Sequence, residues 1–133
     1  MRRETKAGRE ARLAYYDAIF DKGGCWFYKV IPHECDGVMD PCHLLEKKIL
    51  KVEATMAKLS KAETLAMVWD HRNGLPGCRM MHNRLDNGFL RIYQPELPQE
   101  IHDFVDDWEA RLETPGRLQL RLDKRFPRED RPE

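Results

Sequence analysis

Three residues that disfavour helix, Gly74, Pro76 and Gly77, fall within four positions and sit between two strongly helical patterns. Proline lacks the backbone donor and glycine loses the most freedom on ordering, so residues 70–77 read as loop and short strand. Upstream, Leu45, Ile49, Val52, Met56 and Leu59 alternate steps of four and three, an apolar helical stripe. Ser60 with Glu63 has the spacing of a capping box, so a second helix starts there and runs through Leu65, Val68 and Trp69. Downstream, a helix is expected from Cys78 to about Asn87, where Asn87-Gly88 stops it.

The flanks extend the pattern. Residues 5–21 read as a helix capped by Thr5, with Leu13, Tyr16 and Phe20 on one face and Gly23-Gly24 ending it. Residues 25–30 are aromatic and β-prone and read as a strand. Asp36-Gly37 marks a turn, and residues 38–43 form the next strand, with Pro41 holding it to an edge. Residues 89–93 suggest a further short strand. Pro98 opens a helix whose Ile101, Phe104, Val105, Trp108 and Leu112 share a stripe, and Pro115-Gly116 ends it. Leu118, Leu120, Leu122 and Phe126 support a last short element. The fold class expected is α+β and helix-rich. Trp26, Trp69 and Trp108 fall on apolar stripes and are expected in the core.

At 133 residues the chain fits one domain, able to bury about two-thirds of its unfolded surface without a staple. Equal numbers of acidic and basic side chains give a net charge of zero, so total charge makes no case for nucleic acid. Its distribution does make one. Arg2, Arg3, Lys6, Arg9 and Arg12 crowd the first twelve residues, which are expected to form a flexible basic arm. Lys47, Lys48, Lys51, Lys58 and Lys61 follow, whereas 96–113 is acidic. Such a chain can meet phosphates on one side. The end, 127–133, is Pro- and charge-rich and expected to be loose. Cys25, Cys35, Cys42 and Cys78 form no Cys-x-x-Cys pair, and no secretory signal or membrane-spanning run is readable. The expectation is a cytoplasmic protein with reduced thiols.

Two stretches carry chemistry. One is Asp40-Pro-Cys-His-Leu-Leu45; the other runs from Asp70 to Asn83 and includes Asn-Gly-Leu-Pro-Gly-Cys-Arg-Met-Met-His82. The order His43, Asn73, His82, with Cys78 four residues before the last histidine, resembles the HNH motif of small phage-type HNH endonucleases. The resemblance covers roughly residues 25–125. It implies a ββα-metal core within 25–88, interrupted by a helical insertion at about 44–69 and wrapped by N-terminal and C-terminal helices.

By that resemblance His43 is the general base, Asn73 orients its ring, and His82 on the following helix binds a divalent ion (Mg²⁺, Mn²⁺, Ni²⁺ or Zn²⁺). The position before the base, often a carboxylate or histidine in the family, is here Cys42, whose sulfur suits softer ions than Mg²⁺. Strand alternation puts Asp40 on the same side as Cys42, so Asp40 is the alternative ligand. Asp86, one turn past His82, is a candidate partner for that ligand. Arg72, Arg79 and Arg84 flank the motif and are candidate DNA contacts. Many family members also pin their loops with a zinc held by two Cys-x-x-Cys pairs. Here Met81 stands where a cysteine would, so the expectation is that the added helices replace the zinc and Cys78 is an ordinary buried residue. An irregular site would draw on Cys25, His33, Cys35 and Cys78. His33, His71 and His102 otherwise read as ordinary surface histidines.

The function implied is metal-dependent hydrolysis of DNA phosphodiester bonds, in phage or prophage DNA processing and packaging alongside terminase. The alternative is a DNA-binding or assembly module that kept the fold and lost the chemistry. A zinc-held nucleic-acid adaptor is a third reading.

Overall fold

The computed structural model describes residues 3–129. It is a helix-rich α+β arrangement of six helices around one two-stranded antiparallel sheet. The elements are α1 (Lys6–Phe20), β1 (Met39–His43), α2 (Lys47–Met56), α3 (Lys61–Val68), β2 (Gly74–Cys78), α4 (Arg79–Asp86), α5 (Gln99–Glu109) and α6 (Arg117–Arg125). Short 3₁₀ turns lie at Trp26–Lys29, His71–Asn73 and Gln94–Glu96. No described helix is long and apolar enough to cross a membrane.

Thr5 caps α1, its hydroxyl accepting from the Gly8 N–H, and Arg12 pairs with Glu4 at 2.8 Å. Lys6, Arg9 and Arg12 of the basic front thus lie on a capped helix; Arg2 lies outside the described residues. The face that α1 buries is Gly8, Tyr15 and Ile19, while Leu13 and Phe20 are exposed. The expected stripe was therefore rotated on this helix. The same happens on α2, where Leu50, Glu53 and Ala54 face inward and Val52 and Met56 outward. Ser60 and Glu63 do form a capping box on α3.

Two expected strands are absent. Residues 26–29 curl into a 3₁₀ turn, which seats Phe27 under the sheet, and 89–93 form no strand. In the sheet Met39 pairs with Cys78 and His43 with Gly74, so the second strand runs back along the first. Its two faces are packed closely. A Cβ on Gly77 would lie 2.6 Å from the Phe27 ring, and one on Gly74 would lie 2.2 Å from the Tyr15 hydroxyl. Only hydrogen fits at either place, which lets α1 and the 3₁₀ turn sandwich the strands.

The core joins the sheet to α5 and α6 through Ile101, Phe104, Val105, Trp108, Leu118 and Leu122, each worth about 1.5–3 kcal/mol when fully buried. Pro98 caps α5 instead of sitting in its first turn, and Gly116, at φ 86°, turns the chain into α6. Past α6, the Pro127 carbonyl accepts from the Gln94 N–H at 2.8 Å and Arg128 pairs with Asp123, so the tail begins tethered; residues 130–133 lie outside the described ones.

Glu53 is the one buried acid in this core. Arg117 grips it with bonds of 2.9 to 3.2 Å and Arg121 adds contacts at 3.4 Å, which pins α2 to α6. Arg117 holds the Glu53 carboxyl below the ordinary carboxylate range against the opposing effect of burial. Glu53→Ala should lower the urea unfolding free energy by about 2–3 kcal/mol, because it strands two converging guanidinium groups. Arg128→Ala, which breaks an exposed pair, should change it by less than about 1 kcal/mol.

Candidate functional site

A cleft of about 570 Å³ opens where the end of β1 meets α1, α2, the end of α3 and α4. His43, Asp40 and His82 all line it. His43 comes from the last position of β1 and its ring lies flat against Tyr15, with centroids 4.7 Å apart and planes at 20°. Trp69 meets the same ring edge-on at 5.5 Å. Nε2 of His43 is 2.9 Å from the Val68 carbonyl. A carbonyl only accepts, so Nε2 carries the proton and Nδ1 is left with a lone pair. Burial lowers the His43 pKa to about 4, outweighing the opposing effect of the Val68 carbonyl. The ring is therefore neutral at pH 7 and able to accept a proton.

Asn73 does not touch that ring. Its carboxamide accepts from the Leu45 N–H at 2.8 Å and donates to the Leu45 carbonyl at 3.0 Å, and its own carbonyl accepts from the Leu44 N–H. Fully buried, it fixes the backbone leaving β1, and through it the place of His43. Val68, not Asn73, sets the tautomer.

Asp40 and His82 meet across β1 and α4. Asp40 Oδ2 is 3.0 Å from His82 Nδ1, and Asp86 lies 3.2 Å from His82 Nε2. The His82 imidazole thus has a carboxylate at each nitrogen. Two donated bonds satisfy both carboxylates when the ring carries two protons, and with one proton the other nitrogen offers its lone pair to a cation. The 3.0 Å separation suits two ligands on adjacent positions of one metal, which at about 2.1 Å bonds lie about 3 Å apart. An oxygen–nitrogen pair fits Mn²⁺, Ni²⁺ or Zn²⁺ well and Mg²⁺ less well. Partial burial pushes the Asp40 carboxyl up, but Arg79 and His82 together hold it below its ordinary value. Cys42, by contrast, is wholly buried, its thiol 3.7 Å from the Asp40 carbonyl, and burial pushes that thiol up. The Cys42 sulfur lies against Gly77, beside the Phe27 ring, and does not line the cleft. Of the two expected ligands, Asp40 is the one that reaches the histidine.

Lysines 47, 48 and 51 of α2 line the same cleft, with Tyr16 and Trp69 half-buried beside them. Lys47 sits over the Trp69 ring at 5.2 Å. Trp69 is therefore a cleft wall, not interior core; Trp108 is buried and donates to Asp70. The arginines divide. Arg72 is held by Asp70 and Asp107, tying the turn before β2 to α5. Arg79 pairs with Asp40, and Arg84 is exposed on α4.

A second cluster lies outside the lining of that cleft. Cys25, His33, Cys35 and Cys78 bring their ligand atoms within 4.8 Å of one another, a set that could hold a metal ion. His33 Nε2 lies 3.6, 3.2 and 3.4 Å from the sulfurs of Cys25, Cys35 and Cys78. Nδ1 of the same ring is 2.6 Å from the Ile31 carbonyl, which places the proton there and aims the Nε2 lone pair at the three sulfurs. The Cys78 N–H points at the Cys25 sulfur. Cys78 is thus no ordinary core residue, and His33 no idle surface histidine. Cys-x-x-Cys spacing is not needed for these side chains to meet: the 3₁₀ turn and the loop after it bring Cys25, His33 and Cys35 to Cys78 at the start of α4. The spacing Cys25, His33, Cys35 was the available signal. The Tyr15 stack and the Val68 carbonyl left no such mark in the sequence.

His43 gives the site a pH signature. Unfolded, the ring titrates near 6.5; folded, near 4. Between those values the unfolded chain binds more protons, so stability is full above pH 6.5 and falls as pH drops to about 4. The loss should approach about 3 kcal/mol, and His43→Ala should flatten that part of the profile, as read by urea unfolding at stepped pH.

Compared with models of protein families, with curated proteins and with solved structures, the chain matches none.

Proposed function

We propose that the chain is a metal-dependent endonuclease of the HNH type that hydrolyses DNA phosphodiester bonds. The observation that carries this reading is the convergence of His43, Asp40 and His82 on one cleft walled by Lys47, Lys48 and Lys51. Each has a role that fits its surroundings. His43, neutral and with Nδ1 unprotonated, takes the proton of the attacking water. Val68 and Tyr15 hold the ring so that only this nitrogen is available. Asn73 locks the backbone behind it. Asp40 and His82 hold a divalent cation, which when bound neutralises the scissile phosphate and the departing oxygen. Asp86 steadies the far nitrogen of His82. The three lysines draw the phosphate backbone into the cleft. Service in phage or prophage DNA processing, beside terminase, belongs to the same proposal and rests on the motif resemblance.

The second cluster is proposed to hold structural zinc. Three thiols and one imidazole nitrogen are the donors that zinc prefers, and the distances to His33 Nε2 fall at or a few tenths of an ångström below the roughly 3.6 Å expected between sulfur and nitrogen on a tetrahedral ion. One equivalent of zinc per chain is expected by elemental analysis. Stripping it with a chelator should destabilise the fold by at least about 3 kcal/mol, and Cys78→Ser should weaken retention of the ion. A chain that purifies without zinc and keeps its stability removes this site.

The test of the nuclease uses supercoiled plasmid with Mg²⁺, Mn²⁺, Ni²⁺ or Zn²⁺, and EDTA as control. The parent should nick it only with metal, and His43→Ala should fall by roughly 10²–10⁴-fold while still folding. A second reading, a DNA-binding or assembly module without chemistry, is favoured by one observation: Arg79 already neutralises Asp40. Plasmid binding without cleavage in any metal selects that reading.

A further inference from the structure

The pairing that favours the inactive reading also admits an active one. Arg79 is the first residue of α4, and its N–H donates to the Val38 carbonyl at 2.8 Å, so its backbone is pinned beside the start of β1. Its side chain is more than half exposed and forks onto Asp40, Nη2 to Oδ1 at 3.1 Å and Nε to Oδ2 at 3.3 Å. Asp40 is itself only 16% exposed. Both its oxygens are engaged by Arg79, and Oδ2 also meets His82 Nδ1. The guanidinium thus stands where it neutralises the carboxylate of the Asp40–His82 pair, and a divalent cation entering there meets a positive charge already in place. Among the described residues Asp40 is the side chain that Arg79 hydrogen-bonds, with a weaker attraction from Asp36, so the guanidinium can leave without disturbing the core.

We infer that Arg79 is an exchangeable counter-cation. It occupies Asp40 in the metal-free chain, gives way when a divalent ion binds Asp40 and His82, and then turns its fork to a phosphate oxygen of the substrate. The inference rests on the proposed metal centre. It assigns Arg79 a positioning role in which metal and substrate binding are coupled. Removing the side chain therefore has opposite effects on the two. The cation binds more tightly because its competitor is gone, and the phosphate backbone binds less tightly because a bidentate donor is gone. An arginine that merely contacts DNA would not change metal affinity in that direction. One that merely supports the fold would lower it.

The experiment titrates Mn²⁺ into the full chain by calorimetry, for the parent, Arg79→Gln, Arg79→Lys and Asp40→Asn. Arg79→Gln should bind Mn²⁺ roughly two- to fivefold more tightly than the parent, the range expected for loss of one partly exposed ion pair. Arg79→Lys, which keeps the charge and loses the fork, should fall between them. Asp40→Asn should bind at least tenfold more weakly. In a His43→Ala background, where cleavage is blocked, adding Arg79→Gln should weaken duplex binding in Mn²⁺ by a similar factor. Mn²⁺ affinity in Arg79→Gln equal to or below the parent, with Asp40→Asn impaired, overturns the exchange and leaves the metal centre standing. Equal affinity in Asp40→Asn and the parent overturns the metal centre and the exchange together. Circular dichroism confirms that each variant is folded.

Discussion

The buried Asn73 carboxamide bonded to both backbone groups of Leu45 is the constraint on which the cleft depends. It satisfies, 28 residues apart in sequence, a donor and an acceptor that have no strand or helix to pair with at the point where β1 turns into α2. Left unmade in a dry interior, each would cost about 1–3 kcal/mol. Because Asn73 also ends the turn that starts β2, this one side chain sets the end of β1 against the start of β2. The loop between them, α2 and α3, is then free to be long. It returns Val68 to His43 and carries Lys47, Lys48 and Lys51 to the cleft wall.

The aromatic packing then turns that backbone position into a chemical one. Gly74 leaves no Cβ, so the Tyr15 hydroxyl approaches β2 and its ring lies over His43. Stacking buries the imidazole and lowers its pKa, while the Val68 carbonyl takes the only N–H that the neutral ring has. The same contacts that make His43 costly to protonate therefore choose which nitrogen could act as a base. A base near pH 4 is weak in the free chain. On the proposed reading, a phosphate bound in the cleft would bring negative charge close to the ring and raise that value.

What was legible in the sequence was what local chemistry dictates. Thr5 and the Ser60–Glu63 box mark helix starts because the orphan amides there have few other partners. The breakers at 74, 76 and 77 mark the second strand because they exclude helix. What was illegible depended on packing. Residues 25–30 have strand-forming side chains but curl into a 3₁₀ turn that seats Phe27 beneath Gly77. The stripe on α2 was misplaced because Glu53, polar and thus assigned outward, is buried by two arginines from 64 and 68 residues away. In the candidate site, His43 and His82 follow from the motif resemblance and Asp40 from strand alternation, and the three do line one cleft. The ring's true partners, a backbone carbonyl and a tyrosine, have no pattern to read.

The two clusters are mechanically joined at one residue. Cys78 is the last residue of β2, the N-cap of α4 and a member of the sulfur cluster. Arg79 follows it directly, and His82 lies one turn further along the same helix. α4 is only eight residues long, too short to be stable by itself, so its direction is set by what holds its first turn. A metal on Cys25, His33, Cys35 and Cys78 would fix that turn against the loop after α1. The Asp40–His82 separation would then follow from how that ion holds the first turn of α4. Missing capping chemistry at Cys78, which has no side-chain bond to the helix, fits a residue whose sulfur is committed elsewhere. On this view the sulfur cluster is the support of the cleft as well as of the fold, and loosening it would first be felt at His82.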